Sequence, residues 1–482
     1  MRAHIYLLLM TVLAMPALPA APIKAGAAVA DITPKDFPMN MPGGFSANAA
    51  TSAHDPLTVR ALVLDDGQTK IALVVIDHLS VPRKVSAEAK ELASKQTGIP
   101  VDHIMVSATH THTGVSAADE LVVEKEGGPK LNDRQIKANA YRQIMFDGIS
   151  QAIIQANAKL RPAAVGVGVG QLPHEVFNRR WYLKAGKMEP NPFGDLDRVK
   201  MNPNNSPDVL DRPAGPTDPA LTILSVQDDR RKALALYANY SLHYVGGIPA
   251  RQVSADYYGE FARVAPARFG GGEDFVAMMS NGTSGDINNI PFGSSRPPRA
   301  PFEQVRIVAS EAADAAWSAW RTIPKHEKIV PLGMVQRVIS LKYRRPSAED
   351  VAKAKAVIAL KDKTAKDKLP RLADNYARSV IGAAERPEES IDIILQAVRV
   401  GDFAICGVPF ETFAETGLEL KKKSPFAQTM VVGLANGRHG YLPTPEQHEL
   451  GGYETWIGTN VVQKDASVII VKNLVEMMAG LK

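Results

Sequence analysis

Lys70-Ile71-Ala72-Leu73-Val74-Val75-Ile76 and Ile104-Met105-Val106-Ser107, with residues 86–97 between them, decide how the chain folds. After its lysine the first stretch has no polar residue, as expected of a strand covered on both faces; a strand with one face in water would alternate. From Ser86 to Thr97 the apolar residues recur at helical spacing, and Gly98 and Pro100 stop the helix. Strand, helix and strand in this order predict an α/β fold.

The rhythm continues in both directions. Toward the N-terminus, Ala25 to Ile32 and Val59 to Leu64 read as short strands. Toward the C-terminus come a long helix from Asp133 to Leu160 and a Val-Gly strand from Ala164 to Gly170, whose glycines suit close backbone approach. Leu221 to Val226 and Ala233 to Tyr237 form a hairpin pair around a charged turn. Helices are expected at Tyr257 to Phe269, Phe302 to Trp320 and Ser467 to Leu481. Strands are expected at Phe275 to Met279, Val330 to Lys342, Ile391 to Val400, Phe403 to Val408 and Met430 to Ala435. Leu183 to Pro219, rich in Pro, Asn, Gly and Asp, reads as an excursion without elements of its own. The charged stretch 348–384 reads as a helical insertion at the surface, broken near Leu369-Pro370. No internal repeat or low-complexity linker divides residues 21–482, which are expected to form one domain.

Composition narrows the function. With 482 residues, 45% hydrophobic and 22% charged, the chain is neither disordered nor collagen-like. Its net charge of +5 is spread along the sequence, so nucleic acid is not an expected partner. The longest basic run, Lys421-Lys422-Lys423, ends a helix-like stretch, where cations complement the carboxyl end of the dipole. Residues 1–20 have Arg2 and His4 before the apolar run Ile5 to Leu13, and small residues end near Ala20 and Ala21. This is the pattern of a cleaved signal peptide, so a secreted or periplasmic protein is expected. Pro16 and Pro19 interrupt a run already too short for an anchor. Cys406 is the single cysteine, so no intrachain disulfide forms.

Chemistry concentrates in Ala108-Thr109-His110-Thr111-His112-Thr113-Gly114, directly after a strand. In extended chain, histidines two apart point to one side, and neutral imidazoles are common zinc ligands. Three more polar residues sit at the ends of apolar strands: His243 after Ala233 to Tyr237, Glu411 after Phe403 to Gly407, and Tyr441 after Met430 to Ala435. Strand ends are where α/β folds gather their sites.

Together these residues resemble the neutral or alkaline, non-lysosomal ceramidases, zinc amidases that split ceramide into sphingosine and a fatty acid. The resemblance runs from Ala25-Gly26-Ala27-Ala28-Val29-Ala30-Asp31-Ile32-Thr33-Pro34 through the histidine motif to Tyr453-Glu454. It implies α/β architecture with mixed β-sheets flanked by helices, and one Zn2+ per chain held by His110, His243, Glu411 and Tyr441. It also implies a substrate-facing His112, a second active-site tyrosine at Tyr453, and substrate contacts from Asn178 and Arg179. Two departures stand out. The family serine of Gly-Asp-Val-Ser-Pro-Asn is replaced by Asn288 in Gly285-Asp286-Ile287-Asn288-Asn289, and a carboxamide cannot form an acyl-enzyme. The family's C-terminal β-sandwich is expected to be absent.

The expected activity is therefore hydrolysis of a C–N amide or ester bond by zinc-activated water. His112 and Tyr453 would donate to the oxyanion, Asn288 would orient the carbonyl, and Arg179 would meet a polar or anionic head group. Asp286 is expected to hold its turn. The expected partner is a small or lipid-like substrate, with peripheral contact to membrane lipid and no obligate protein partner. Two other classes fit the same residues: a metal-containing lipid or glycan receptor that has lost catalysis, and a two-metal hydrolase of the amidohydrolase kind.

Overall fold

A computed structural model describes residues 21–43, 48–120 and 130–482; the expected signal peptide lies outside the described residues. The run Lys70–Ile76 is a strand in the middle of the protein. Ile71, Leu73 and Val75 point into one hydrophobic core, while Ala72, Val74 and Ile76 point into another. Alternate side chains leave opposite faces of a strand, so a strand serving two cores has no polar position to spare.

Lys70–Ile76 belongs to an eight-stranded sheet ordered Val276–Asn281, Ala233–Tyr240, Ala220–Asp228, Arg161–Gln171, Lys24–Asp31, Thr58–Asp65, Lys70–Ile76, Ile104–Ala108. Pairing is antiparallel inside and parallel in the outermost pair at each edge. A four-stranded sheet, Leu332–Lys342, Ser390–Val400, Phe403–Gly407 and Gln428–Val432, packs on one face through Val398, Ile405, Met430 and Val432. On the other face, helices Arg83–Thr97 and Asp133–Ala158 cover one half of the larger sheet and helices Asp256–Phe269 and Glu303–Arg321 the other half. Helices Ala414–Lys423 and Ala466–Leu481 cover the outside of the smaller sheet. The fold is thus mixed α/β with helices on both outer faces. The close approach expected of the Val-Gly strand is made by Gly168 and Gly170. A Cβ at either would lie 2.5 Å from a carbonyl oxygen of helix Glu303–Arg321, that of Ala319 or Ala315.

Parallel neighbours need a crossover, and here each crossover carries a helix. Helix Arg83–Thr97 joins Lys70–Ile76 to Ile104–Ala108, helix Asp256–Phe269 joins Ala233–Tyr240 to Val276–Asn281, and helix Ala414–Lys423 joins Phe403–Gly407 to Gln428–Val432. Residues 433–436, just after the last of these strands, clasp the other two units together. The Gly433 amide donates to the Asn281 carbonyl, the Ala108 amide to Leu434, and the Asn436 amide to Val106.

Two expectations need correcting. The excursion from Leu183 to Pro219 contains strands: Lys200–Met201 and Leu210–Pro213 pair on either side of Arg180–Leu183. Stretches of two to four residues are too short to show a period in the sequence. The segment 348–384 forms helices Ala348–Ala359, Lys363–Asp367 and Ala373–Glu385, broken at Leu369-Pro370. It does more than decorate the surface, because Leu372 and Tyr376 line a cavity together with Tyr441 and Tyr453.

Candidate active site

The strand carrying the histidine motif ends at Ala108, and His110 has φ of 70°. The extended geometry expected for His110 and His112 is therefore absent. A non-glycine residue in this left-handed region costs about 1–3 kcal/mol and persists only where its surroundings over-determine it. Here the Thr109 amide donates to Ile76 and the His110 amide to His78, while the Thr111 and Thr113 hydroxyls both donate to the Ser254 carbonyl. The twist still brings the rings together. His110 Nε2 lies 3.3 Å from His112 Nε2 and 3.0 Å from His243 Nε2. Ligating atoms of all three rings fall within 4.8 Å of one another.

The second ring nitrogens settle the protonation. His110 Nδ1 lies 2.6 Å from the Leu79 carbonyl and His243 Nδ1 lies 3.0 Å from the Ser284 carbonyl. A carbonyl only accepts, so Nδ1 carries the proton in both rings, and in the neutral imidazoles the Nε2 lone pairs face each other. Burial holds His112 and His243 well below the usual histidine range. Glu411 Oε2 is 3.3 Å from His110 Nε2 and 3.8 Å from His243 Nε2, is buried, and has no hydrogen-bond partner among the described residues. Burial alone would raise the Glu411 pKa, but the adjoining Arg438 guanidinium favours the ionised form, and the carboxyl is held well below its ordinary value. Two nitrogen lone pairs and an ionised oxygen thus converge on one point. A metal cation satisfies all three, and the imidazole and carboxylate donors suit zinc.

Glu411 and Tyr441 are paired residues of the short parallel strands Glu411–Thr412 and Tyr441–Leu442. The Tyr441 ring meets that of Tyr453 edge-on at 5.7 Å. Burial, followed by the charge of Glu411, pushes the Tyr441 phenol well above its ordinary range. The Arg179 guanidinium lies 5.3 Å from the centre of the Tyr441 ring and donates through Nε to Glu454 at 2.9 Å; its buried Nη2 has no partner among the described residues. His110, His112, His243, Glu411, Tyr441, Tyr453 and Arg179 therefore form one connected set of contacts.

Asn178 stands one step behind, donating to Asp286 at 2.8 Å. The other oxygen of Asp286 accepts from the Ala414 amide at the start of helix Ala414–Lys423, so this carboxylate ties three segments together. Burial raises its pKa to about 7. The Asn288 carboxamide donates to Asn202 and accepts from the Ile290 amide.

Three participants have no local signal in the sequence. Tyr244 stacks on His112 with ring centres 3.8 Å apart. Arg438 donates to Glu411 Oε1 at 3.3 Å. Glu454, fully buried, bridges Arg179 and Arg180. Two cavities open beside the set. One of 530 Å³ is bordered by Arg438, Tyr441 and Tyr453, and one of 480 Å³ by Pro190, Pro370 and Trp456; Leu372 and Tyr453 line both.

Residues 23–294, more than half of the chain, match the family described as neutral/alkaline non-lysosomal ceramidase, N-terminal. A neutral ceramidase of Mycobacterium tuberculosis is 22% identical over 90% of this chain and 73% of its own length. Neutral ceramidase 3 of Arabidopsis thaliana is 27% identical over 31% of this chain and 20% of its own length. The crystal structure of the neutral ceramidase from Pseudomonas aeruginosa superposes with a TM-score of 0.71 at 16% identity, covering 96% of this chain and 75% of that one. A ceramidase complexed with C2 gives a TM-score of 0.70, also at 16% identity, with the same coverage. The chain belongs to the neutral/alkaline non-lysosomal ceramidase family of amidases.

Proposed function

We propose that the protein is a zinc-dependent hydrolase of a C–N amide or ester bond in a lipid-like substrate, acting through water. The observation that carries this reading is the convergence of the His110 and His243 Nε2 lone pairs on the partnerless Glu411 Oε2. His110, His243, Glu411 and Tyr441 would hold one ion, with His112 beside them. Bound there, zinc supplies Lewis acidity, polarising a carbonyl and lowering the pKa of water from about 15.7 toward about 7.

The chain's own groups do the rest. Leu79 and Ser284 fix the tautomers, so His110 and His243 present bare nitrogens. Tyr453 and His112 would donate to the oxyanion that forms when water adds to the carbonyl carbon. The spare Nη2 of Arg179 adds a further donor, held in place by Glu454. As the C–N bond breaks, the acyl carbon keeps the oxygen from water and the leaving nitrogen takes a proton. Asn288 replaces the family serine, so no acyl-enzyme is formed on it; its bond to Asn202 gives it a positioning role. We place the mature enzyme outside the cytoplasm on the strength of residues 1–20.

Metal analysis combined with assay on ceramides, N-acyl amino acids and simple esters tests this reading. The expected result is close to one zinc per chain and hydrolysis that chelation abolishes and zinc restores. Full activity after exhaustive chelation, or two metals per chain, would overturn it.

A further inference from the structure

The 530 Å³ cavity beside Tyr441 has an unusual charge balance. Arg386 and Arg438 line it, and none of the described residues lining it is an aspartate or glutamate. The Arg386 guanidinium lies 4.0 Å from the centre of the Tyr343 ring and has no ion-pair partner among the described residues. Stacking fixes the plane of the fork and leaves its N–H edge for a ligand. Arg438 uses Nε on Glu411, the carboxylate assigned above to the metal, and its side chain remains 43% exposed. The neighbouring 480 Å³ cavity shares Leu372 and Tyr453 with the first; Pro190, Pro370 and Trp456 form an apolar part of its lining suited to an acyl chain, beside charged residues such as Asp197 and Lys368.

We propose that the substrate carries a carboxylate on the amine side of its scissile amide, received between Arg386 and Arg438, with the acyl chain in the apolar cavity. The enzyme then prefers acidic N-acyl amides, such as N-acyl amino acids, over amides with neutral head groups. This rests on the hydrolase reading above. Guanidinium-carboxylate pairs are planar and often bidentate, so they select for charge and for geometry together.

The test uses the full-length zinc-loaded protein with N-lauroylglycine and N-lauroylethanolamine, which differ in the charged group. Binding is measured by calorimetry and hydrolysis by kcat/KM. Charged hydrogen bonds predict an advantage of about 10- to 100-fold for the acid in both measurements. That ratio should collapse toward one in Arg386→Gln, recover in part in Arg386→Lys, and shrink in high salt. Equal or weaker binding of the acid overturns the proposal, as does a ratio unmoved by both Arg386→Gln and Arg438→Gln. Preference for N-lauroyl phosphoethanolamine over the carboxylate overturns the assignment of the anion. If the acid binds preferentially and loses that preference in Arg386→Gln, but neither amide is cleaved, the cavity assignment stands and the hydrolase reading falls.

Discussion

His110 and His243 are buried, and each has one ring nitrogen held by a backbone carbonyl, whereas Arg438 is 43% exposed and Arg386 rests on Tyr343 at the side of an open cavity. The two regions adjoin, but they tolerate change differently. On the histidine side the groups are buried and water cannot replace a lost partner, so errors cost the full desolvation penalty. On the arginine side, solvent can fill in, and errors change which molecule is accepted.

The contrast breaks first at the ligands. His110→Ala or His243→Ala should reduce bound zinc to background and hydrolysis with it, as read by metal analysis and assay; retained metal in both variants would show that the convergence on Glu411 is incidental. Tyr453→Phe should keep the metal and lose about 10²–10³ in kcat, the usual effect of removing one oxyanion donor. Gly285→Ala tests rigidity. A Cβ there would lie 2.3 Å from the Glu411 carbonyl oxygen, and the forced shift of the Glu411 strand should cost about 100-fold in kcat/KM. Asn288→Ser should change kcat/KM by no more than about threefold, the scale of one neutral hydrogen bond, and mass spectrometry should trap no acyl-enzyme.

The smallest effect concerns pH. Folding raises the Asp286 pKa from 3.8 to about 7, so between these values the folded state holds a proton that the unfolded state has released. The stability this group confers is fully present below pH 3.8 and is lost as pH rises through about 7. Asp286→Asn should remove that slope from the denaturant-unfolding midpoint measured across this window.

Much of the fold was legible because the cores are two-sided. The run Lys70–Ile76 matches its strand residue for residue, and Gly98 ends the helix Arg83–Thr97 in the left-handed conformation a terminal glycine permits. The site was legible where a polar residue followed an apolar strand, as His243 follows Ala233–Tyr240 and Glu411 follows Phe403–Gly407. What escaped has no local signature. The left-handed turn at His110 is imposed by bonds to His78 and Ser254, both distant in sequence from its loop. Tyr244, Arg438 and Glu454 acquire their significance only from what they touch across the fold. The order of the strands escaped for a similar reason: Lys24–Asp31 lies between Thr58–Asp65 and Arg161–Gln171, and no local signal pairs strands so far apart in sequence.

The clasp formed by residues 433–436 has a consequence for biosynthesis. His110 follows the edge strand Ile104–Ala108, whereas His243 follows Ala233–Tyr240, the neighbour of the opposite edge strand Val276–Asn281, and main-chain bonds from this late segment to Asn281, Val106 and Ala108 join the two ends of the sheet. A nascent polypeptide that has emerged only through its first 400 residues already owns the three histidines, yet lacks Glu411, Tyr441 and the clasp, so the last stretch of the chain completes the set of side chains around them.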